Sequence, residues 1–189
     1  MKYGSKWPEY AKQWDRMTVK PARMADVKRA AARLVSYKPR YESVAELTGV
    51  PWWLIAVLHL RESDADFKTY LGNGEPLTRR TRLVPKGRGP FKSWEEGAID
   101  ALRYDGLTSI IDFRIEKALW LAERFNGLGY ENRGLPSPYV FGGTNIQKPG
   151  KYVADGRWSS NVWDQQLGVA PVLAEMAKQD PSIKFVRET

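Results

Sequence analysis

Apolar residues recur along this chain mostly at the spacing of helices. Trp7, Tyr10, Trp14 and Met17 lie three or four residues apart, so one side of this stretch is apolar. The pattern predicts a helical arm, reaching to about Pro21, that packs through that side.

Start and stop signals predict further helices downstream. Ser43 with Glu46, and Ser93 with Glu96, have the spacing of capping boxes. Proline and glycine mark the other boundaries, as Pro39 does for the end of the first helix. The predicted helices cover residues 22–37, 43–49, 51–62, a stretch from 93, 115–124 and about 162–177.

Two stretches rich in glycine and proline interrupt the helices, at 64–92 and 126–160. Within the first, residues 78–84 are predicted to form a short strand of a small hairpin. The expected fold class is therefore mostly α (α+β), a helical bundle with a small β-hairpin. Loops this long in a compact domain are usually functional.

The composition is that of one globular domain, expected over residues 1–189. The chain has 189 residues, of which 42% are hydrophobic and 28% charged, and this length can bury a real core. The absence of cysteine excludes disulfides and thiolate chemistry. The formal net charge of +8 favours an anionic partner or surface.

Glu62 is the leading candidate for chemistry. Trp52, Ile55 and Leu58 precede it at helical spacing, so its carboxyl is expected to project from the apolar side of a helix. Apolar surroundings raise the pKa of a carboxyl, as a general acid requires. The alternative is a partly exposed glutamate paired with an arginine.

A second carboxylate, Glu75, lies in the tight loop 70–77, and Thr81 follows six positions later. The carboxylate could hold a water or stabilise positive charge on a sugar, and the hydroxyl could orient that water. The alternative is that both residues serve turn geometry alone. His59, the single histidine, is interpreted as a packed, hydrogen-bonded residue, because nothing else supplies a zinc ligand set. No cofactor is expected.

Two loop motifs are candidates for ligand contact. Asn126 begins an Asn-Gly-x-Gly segment, whose glycines let the backbone approach a ligand and whose amide can bond sugar hydroxyls. Tyr152 and Trp158 lie in a later loop and could stack on sugar faces. The alternatives are a helix C-cap at Asn126 and buried loop anchors for the aromatic residues.

Together these segments resemble the lysozyme-like superfamily. Glu62-Ser63 at a helix end resembles the catalytic motif of lytic transglycosylases and goose-type lysozymes. The run 125–129 resembles their Tyr-Asn-x-Gly motif with Phe125 in place of tyrosine, and Tyr152-Val153 resembles their late Tyr-Val motif.

The stretch 62–81 also resembles phage lysozymes of the T4 type. Glu62, Glu75 and Thr81 keep the order of their acid, second carboxylate and threonine, and the last spacing matches. The gap between the two acids is longer here, and the second acid is glutamate in place of aspartate. The sequence also leaves Asp64, Asp66 and Asp155 open as the second acid.

Over about 43–178 the chain resembles phage and prophage endolysins. The resemblance implies a lysozyme-like fold with a groove between lobes, and a monomer that needs no cofactor and acts on bacterial peptidoglycan. The first eight residues lack an apolar signal segment, so the enzyme is expected in the host cytoplasm until release to the cell wall. The basic surface suits anionic outer-membrane lipid, and no specific nucleic acid is expected.

The implied reaction is cleavage of the β-1,4 bond between N-acetylmuramic acid and N-acetylglucosamine. Glu62 protonates the bond oxygen, and Glu75 with Thr81 positions water for hydrolysis, the favoured outcome. The alternative is attack by the muramic 6-hydroxyl, as in lytic transglycosylases. Ser63 is expected to bond Glu62 or a sugar. The residues expected to line the groove are Tyr70, Asn73, Asn126, Tyr130 and Tyr152.

Other functional classes remain open from the sequence. A nucleic-acid-binding module fits the charge and the aromatic residues, but basic residues cluster only at 79–82 and 86–88 and form no known binding motif. A catalytically inactive wall-binding or virion protein fits as well. The basic stretch 79–88 could also contact a membrane surface.

Overall fold

The computed structural model describes residues 7–154 and 156–187. Within them the regular structure consists of eight α-helices, three short 3-10 helices and one two-stranded antiparallel sheet, which confirms the mostly helical prediction. The helices are α1 (Trp7–Arg16), α2 (Met24–Ser36), α3 (Lys38–Thr48), α4 (Trp52–Ser63), α5 (Trp94–Tyr104), α6 (Ile115–Asn126), α7 (Pro138–Phe141) and α8 (Val169–Gln179). The strands are β1 (Lys151–Ala154) and β2 (Arg157–Ser159).

Helix α4 is the core of the molecule. Every residue from Trp53 to Arg61 is buried, and the helix packs against α2, α3, α6 and α8. A helix that is apolar on all sides is stable only when other elements enclose it. Because other helices enclose α4 along its length, Glu62 and Ser63 in its last turn lie where several elements meet.

The remaining helices pack around this core in pairs. Helix α2 lies against α8, α3 against α5, and α1 against α6. Tyr10 of α1 is buried and its hydroxyl donates a hydrogen bond of 2.6 Å to Glu123 of α6.

In the described part of the chain, no single helix is long and apolar enough to cross a membrane. Helices α3 and α4 together have the length and apolar composition of a membrane-spanning segment, but the chain bends by 114° between them.

The predicted cap at Ser43 is wrong. Helix α3 begins at Lys38, and Ser43 lies inside it with its hydroxyl donating to the carbonyl of Arg40 at 2.8 Å. Pro39 therefore lies in the first turn of α3, where the missing N–H costs nothing. Helix α2 had already ended at Ser36.

Other predicted boundaries are confirmed. Gly49 closes α3 at φ 72°, a conformation that favours glycine. Ser93 caps α5 by accepting a hydrogen bond of 3.1 Å from the backbone N–H of Glu96. Helix α6 begins at Ile115 as predicted and continues two residues beyond Arg124, to Asn126.

Helix α8 starts later than the predicted 162. Gly168 precedes it in an extended conformation, and a Cβ atom there would lie 2.4 Å from the backbone nitrogen of Gly142 and 2.4 Å from the carbonyl oxygen of Val140. This close approach to the end of α7 holds residue 168 outside the helix.

The predicted strand at 78–84 is wrong, since residues 64–92 contain only an isolated bridge between Thr69 and Pro76. The backbone N–H groups of Arg82 and Leu83 donate to Oε2 of Glu75, at 2.7 and 2.8 Å, and not to a neighbouring strand. The small β-hairpin is formed instead by β1 and β2, with Tyr152 opposite Trp158.

We expect Leu54→Ala to lower the free energy of unfolding by about 2–5 kcal/mol, because this fully buried α4 side chain would leave a cavity in the core. The matched control is Leu47→Ala on α3, where the side chain is 69% exposed and the expected change is within about 0.5 kcal/mol. Urea unfolding followed by circular dichroism measures both, and equal losses would contradict the central place of α4.

Candidate active site

Glu62 lies in the last turn of α4, where Asp64 ends the helix in a left-handed conformation. Its side chain is half-buried, and Oε1 accepts a hydrogen bond of 2.8 Å from the hydroxyl of Tyr139. Burial raises the pKa of Glu62 to about 7, against the opposing effects of this hydrogen bond and the charge of Arg61. A carboxyl with this pKa retains its proton close to neutral pH, as a general acid must.

Tyr139 is the positioning residue that the sequence analysis missed. It lies on α7 and is fully buried. The guanidinium of Arg61 stacks over its ring, 4.6 Å from the ring centroid. Burial and the neighbouring Glu62 raise the pKa of Tyr139 well above its ordinary value, so it stays a hydrogen-bond donor. The only sequence signal was Pro138, which begins a short helix within the long loop.

A cavity of about 350 Å³, here called the acid cavity, opens beside Glu62. Tyr70, Asn73 and Asn126, three of the predicted groove residues, line it. Tyr70 is buried, its ring is stacked on Phe91, and its hydroxyl donates a hydrogen bond of 2.9 Å to Asp100. Because its hydroxyl is already bonded, Tyr70 mainly shapes the side of the cavity. Asn126 is exposed and free to meet a ligand.

A second cavity of about 530 Å³, here called the aromatic cavity, is not lined by Glu62 itself. Tyr130, Tyr139 and Tyr152 line it, and Asn126 borders both cavities. The hydrogen bond between Tyr139 and Glu62 also links the two cavities, which we call together the groove. The five predicted residues that line one or both cavities are Tyr70, Asn73, Asn126, Tyr130 and Tyr152.

Three aromatic rings form a compact cluster, and two of them, Tyr130 and Tyr152, line the aromatic cavity. Tyr130, Tyr152 and Trp158 contact one another edge to face, with centroids 5.0 to 5.7 Å apart. Arg133 lies 4.3 Å from the Trp158 centroid and donates to the Tyr152 hydroxyl at 2.9 Å. Gly129 permits this packing, because a Cβ atom there would lie 3.0 Å from the Tyr152 ring.

Asp105 is a second carboxyl in the acid cavity that sequence reasoning did not single out. It is the residue after α5, and Arg124 donates to its Oδ2 at 2.7 Å. Burial raises the pKa of Asp105, and the pairing with Arg124 opposes that rise. Its negative charge also contributes to the raised pKa of Tyr139, which places it in the electrostatic surroundings of the Glu62–Tyr139 pair.

Glu75 and Thr81 line neither cavity, and both are engaged within their own loop. Hydrogen bonds from the backbone of Leu83 and Arg82 lower the pKa of Glu75. The Thr81 hydroxyl donates to the carbonyl of Pro85 and accepts from the backbone N–H of Arg88 at 3.0 Å. These contacts give the two residues a role in shaping the loop.

Ser63 also lines neither cavity, and it makes no hydrogen bond to Glu62. Its hydroxyl is buried and has no hydrogen-bond partner within the described part of the chain. Gly74, at φ 72°, brings the neighbouring loop against the end of α4, where a Cβ atom would lie 3.1 Å from the carbonyl oxygen of Glu62. The turn of α4 that carries the acid is thereby covered by the loop.

The other candidate carboxylates lie elsewhere. Asp64 is exposed and bonded to Arg33, Asp66 is exposed and accepts from the backbone N–H of Lys68 at 2.9 Å, and Asp155 lies outside the described residues. His59 is buried beside Tyr41, its hydrogen-bond partner at 3.1 Å, which confirms the packing interpretation, and burial lowers its pKa to about 4. The described ranges contain no group of three or more His, Cys, Asp or Glu side chains that could hold a metal ion.

Comparisons with protein-family models, with curated proteins and with solved structures found no match.

We expect Glu62→Gln to become more stable than the wild type as pH rises. The unfolded wild type loses the Glu62 proton near pH 4.5, whereas the folded protein keeps it until about pH 7, so wild-type stability falls across that window. Partial solvent access moderates the effect, and we expect the difference in unfolding free energy to grow by on the order of 2 kcal/mol between pH 4 and pH 8. Urea unfolding of both proteins at several pH values tests this, and a constant difference would mean an unshifted carboxyl.

Proposed function

We propose that the chain is a peptidoglycan-cleaving glycosidase with a lysozyme-like fold, a muramidase that acts as an endolysin. The observation that carries the proposal is the half-buried Glu62, which lines the acid cavity and whose pKa burial raises to about 7. Glycosidases with one protonated and one ionised carboxyl need a first group of this kind.

In the proposed reaction, Glu62 donates its proton to the oxygen between N-acetylmuramic acid and N-acetylglucosamine. The bond from that oxygen to the muramic acid carbon breaks, and positive charge develops on the ring. Tyr139 keeps its hydrogen bond to Oε1 throughout and stabilises the carboxylate left behind. Water then attacks the carbon and gives up its proton to a carboxylate base, which leaves a new reducing end on N-acetylmuramic acid, and solvent returns a proton to Glu62.

Asp105 replaces Glu75 as our candidate for the second carboxylate. It lines the same cavity as Glu62, whereas the Glu75 carboxylate is occupied by backbone N–H groups. An ionised Asp105 stabilises the developing positive charge or accepts the proton of the attacking water. We assign the sugar contacts to Asn126 and Tyr152, which both line the aromatic cavity, since an amide can bond hydroxyl or N-acetyl groups and an aromatic ring can pack on a sugar.

The ion pair of Asp105 favours a second candidate, a lytic transglycosylase. Arg124 engages one oxygen of Asp105 at 2.7 Å, which makes that carboxylate a weaker base for water. In that reaction the ionised Glu62 takes the proton of the muramic 6-hydroxyl, which attacks the same carbon and forms a 1,6-anhydro end. Both candidates use Glu62 and differ in their products.

We expect Glu62→Gln to lower the release of soluble fragments from purified peptidoglycan by at least about 100-fold, because the amide has no proton to give. The matched control is Glu123→Gln. Glu123 is also buried with a pKa raised to about 7, but it is bonded to Tyr10 away from the groove, and its variant should retain activity.

Mass spectrometry of the fragments identifies the reaction. Reducing muramic ends support a muramidase, and 1,6-anhydro ends support a transglycosylase. Equal release by Glu62→Gln and the wild type would reject Glu62 as the acid. No release by a folded wild type would leave a wall-binding protein as the better proposal.

We expect Asp105→Asn to lower the rate of hydrolysis by about 10- to 100-fold and to raise the proportion of anhydro ends, because the base for water is lost. Glu75→Gln is the control, since it alters a carboxylate outside the groove and should leave the ratio of products unchanged. A change of ratio in Glu75→Gln alone would restore Glu75 as the second carboxylate.

A further inference from the structure

The loop between α4 and α5 carries a dense positive charge. Its second part, residues 76–93, includes six basic residues and no aspartate or glutamate. Arg79, Arg80, Arg82 and Lys86 are exposed, whereas Arg88 is half-buried and pairs with Asp100 of α5. We call residues 79–88 the basic loop.

Two large apolar side chains are exposed within the basic loop. Leu83 is 60% exposed and Val84 is 74% exposed, and they directly follow the exposed Arg82. A single exposed apolar residue is ordinary, but two adjacent ones within a cationic segment form an amphipathic surface. Nothing in the described part of the chain covers them.

Internal hydrogen bonds fix the shape of the basic loop. Oε2 of Glu75 accepts from the backbone of Arg82 and Leu83, and Arg80 donates to the carbonyl of Gly87 at 2.9 Å. Thr81 adds its contacts to Pro85 and Arg88. The exposed pair is thus held outward by the fold, and binding through it costs little ordering of the backbone.

We propose that the basic loop is a docking site for the surface of an anionic phospholipid bilayer. Its exposed cations Arg79, Arg80, Arg82 and Lys86 meet the headgroup phosphates. Leu83 and Val84 enter the boundary between headgroups and acyl chains. Charge alone would suit any polyanion, but a soluble polyanion such as nucleic acid offers no apolar layer for Leu83 and Val84. The exposed apolar pair therefore favours a bilayer.

The position of the loop links docking to the groove. Val84 and Pro85 also line the acid cavity, so a docked molecule holds the mouth of the groove beside the bilayer surface. The docking proposal rests on the basic loop alone and holds whether or not Glu62 cleaves peptidoglycan.

The test is cosedimentation of the full chain with vesicles of phosphatidylcholine containing phosphatidylglycerol, and with phosphatidylcholine alone. Arg82→Gln/Lys86→Gln should weaken partitioning to the anionic vesicles by about 25-fold, at roughly fivefold for each cation. Leu83→Ser should weaken it by about tenfold. Matched controls are Lys12→Gln/Lys148→Gln, with the same change of charge at exposed positions, and Leu47→Ser on α3; both should bind like the wild type.

Two results would overturn the proposal. Equal weakening by Lys12→Gln/Lys148→Gln would mean that net charge alone drives binding. If Leu83→Ser has no effect and the wild type binds heparin, a soluble polyanion, as strongly as vesicles, the loop is a polyanion site. Circular dichroism of each variant separates a lost contact from a lost fold.

Discussion

The enclosure of α4 on all sides is the constraint on which the groove depends. Such a helix must end where its polar C-terminal turn can be satisfied, and here the turn ends between α7, the segment 164–167 and the loop at Gly74. Arg61 is buried in this turn and needs partners, which it finds in the Leu167 carbonyl, the carboxylate of Asp164 at 3.9 Å and the ring of Tyr139. These contacts of Arg61 bring together the elements that surround Glu62.

The properties of Glu62 follow from opposing effects at this turn. Burial disfavours the carboxylate, whereas the Tyr139 hydroxyl and the Arg61 charge favour it, and burial is the larger effect. A deeper site would keep the carboxyl protonated at every relevant pH, and an open site would leave it ionised at neutral pH. The half-buried position at the acid cavity allows Glu62 both to hold a proton and to reach a ligand.

Much of the helical fold could be predicted from sequence because its signals are local. Gly49, the Ser93–Glu96 capping box and the apolar run of α4 each act within a few residues. The placement of Glu62 at the end of a buried helix was predictable for the same reason. Tyr139 and Asp105 could not be found in this way, because each acquires its importance from partners far along the chain, and neither belongs to a recognisable motif.

The loop at 64–92 shows why motif order alone was insufficient. A carboxylate followed six positions later by threonine is compatible with a catalytic pair. The same two side chains can instead accept hydrogen bonds from backbone N–H groups that have no neighbouring strand to pair with. Those hydrogen bonds lower the pKa of Glu75, which makes it a poor acceptor for a proton from water. Burial instead raises the pKa of Asp105, which makes Asp105 the better base, and it lines the acid cavity. Glu75 holds the basic loop in shape.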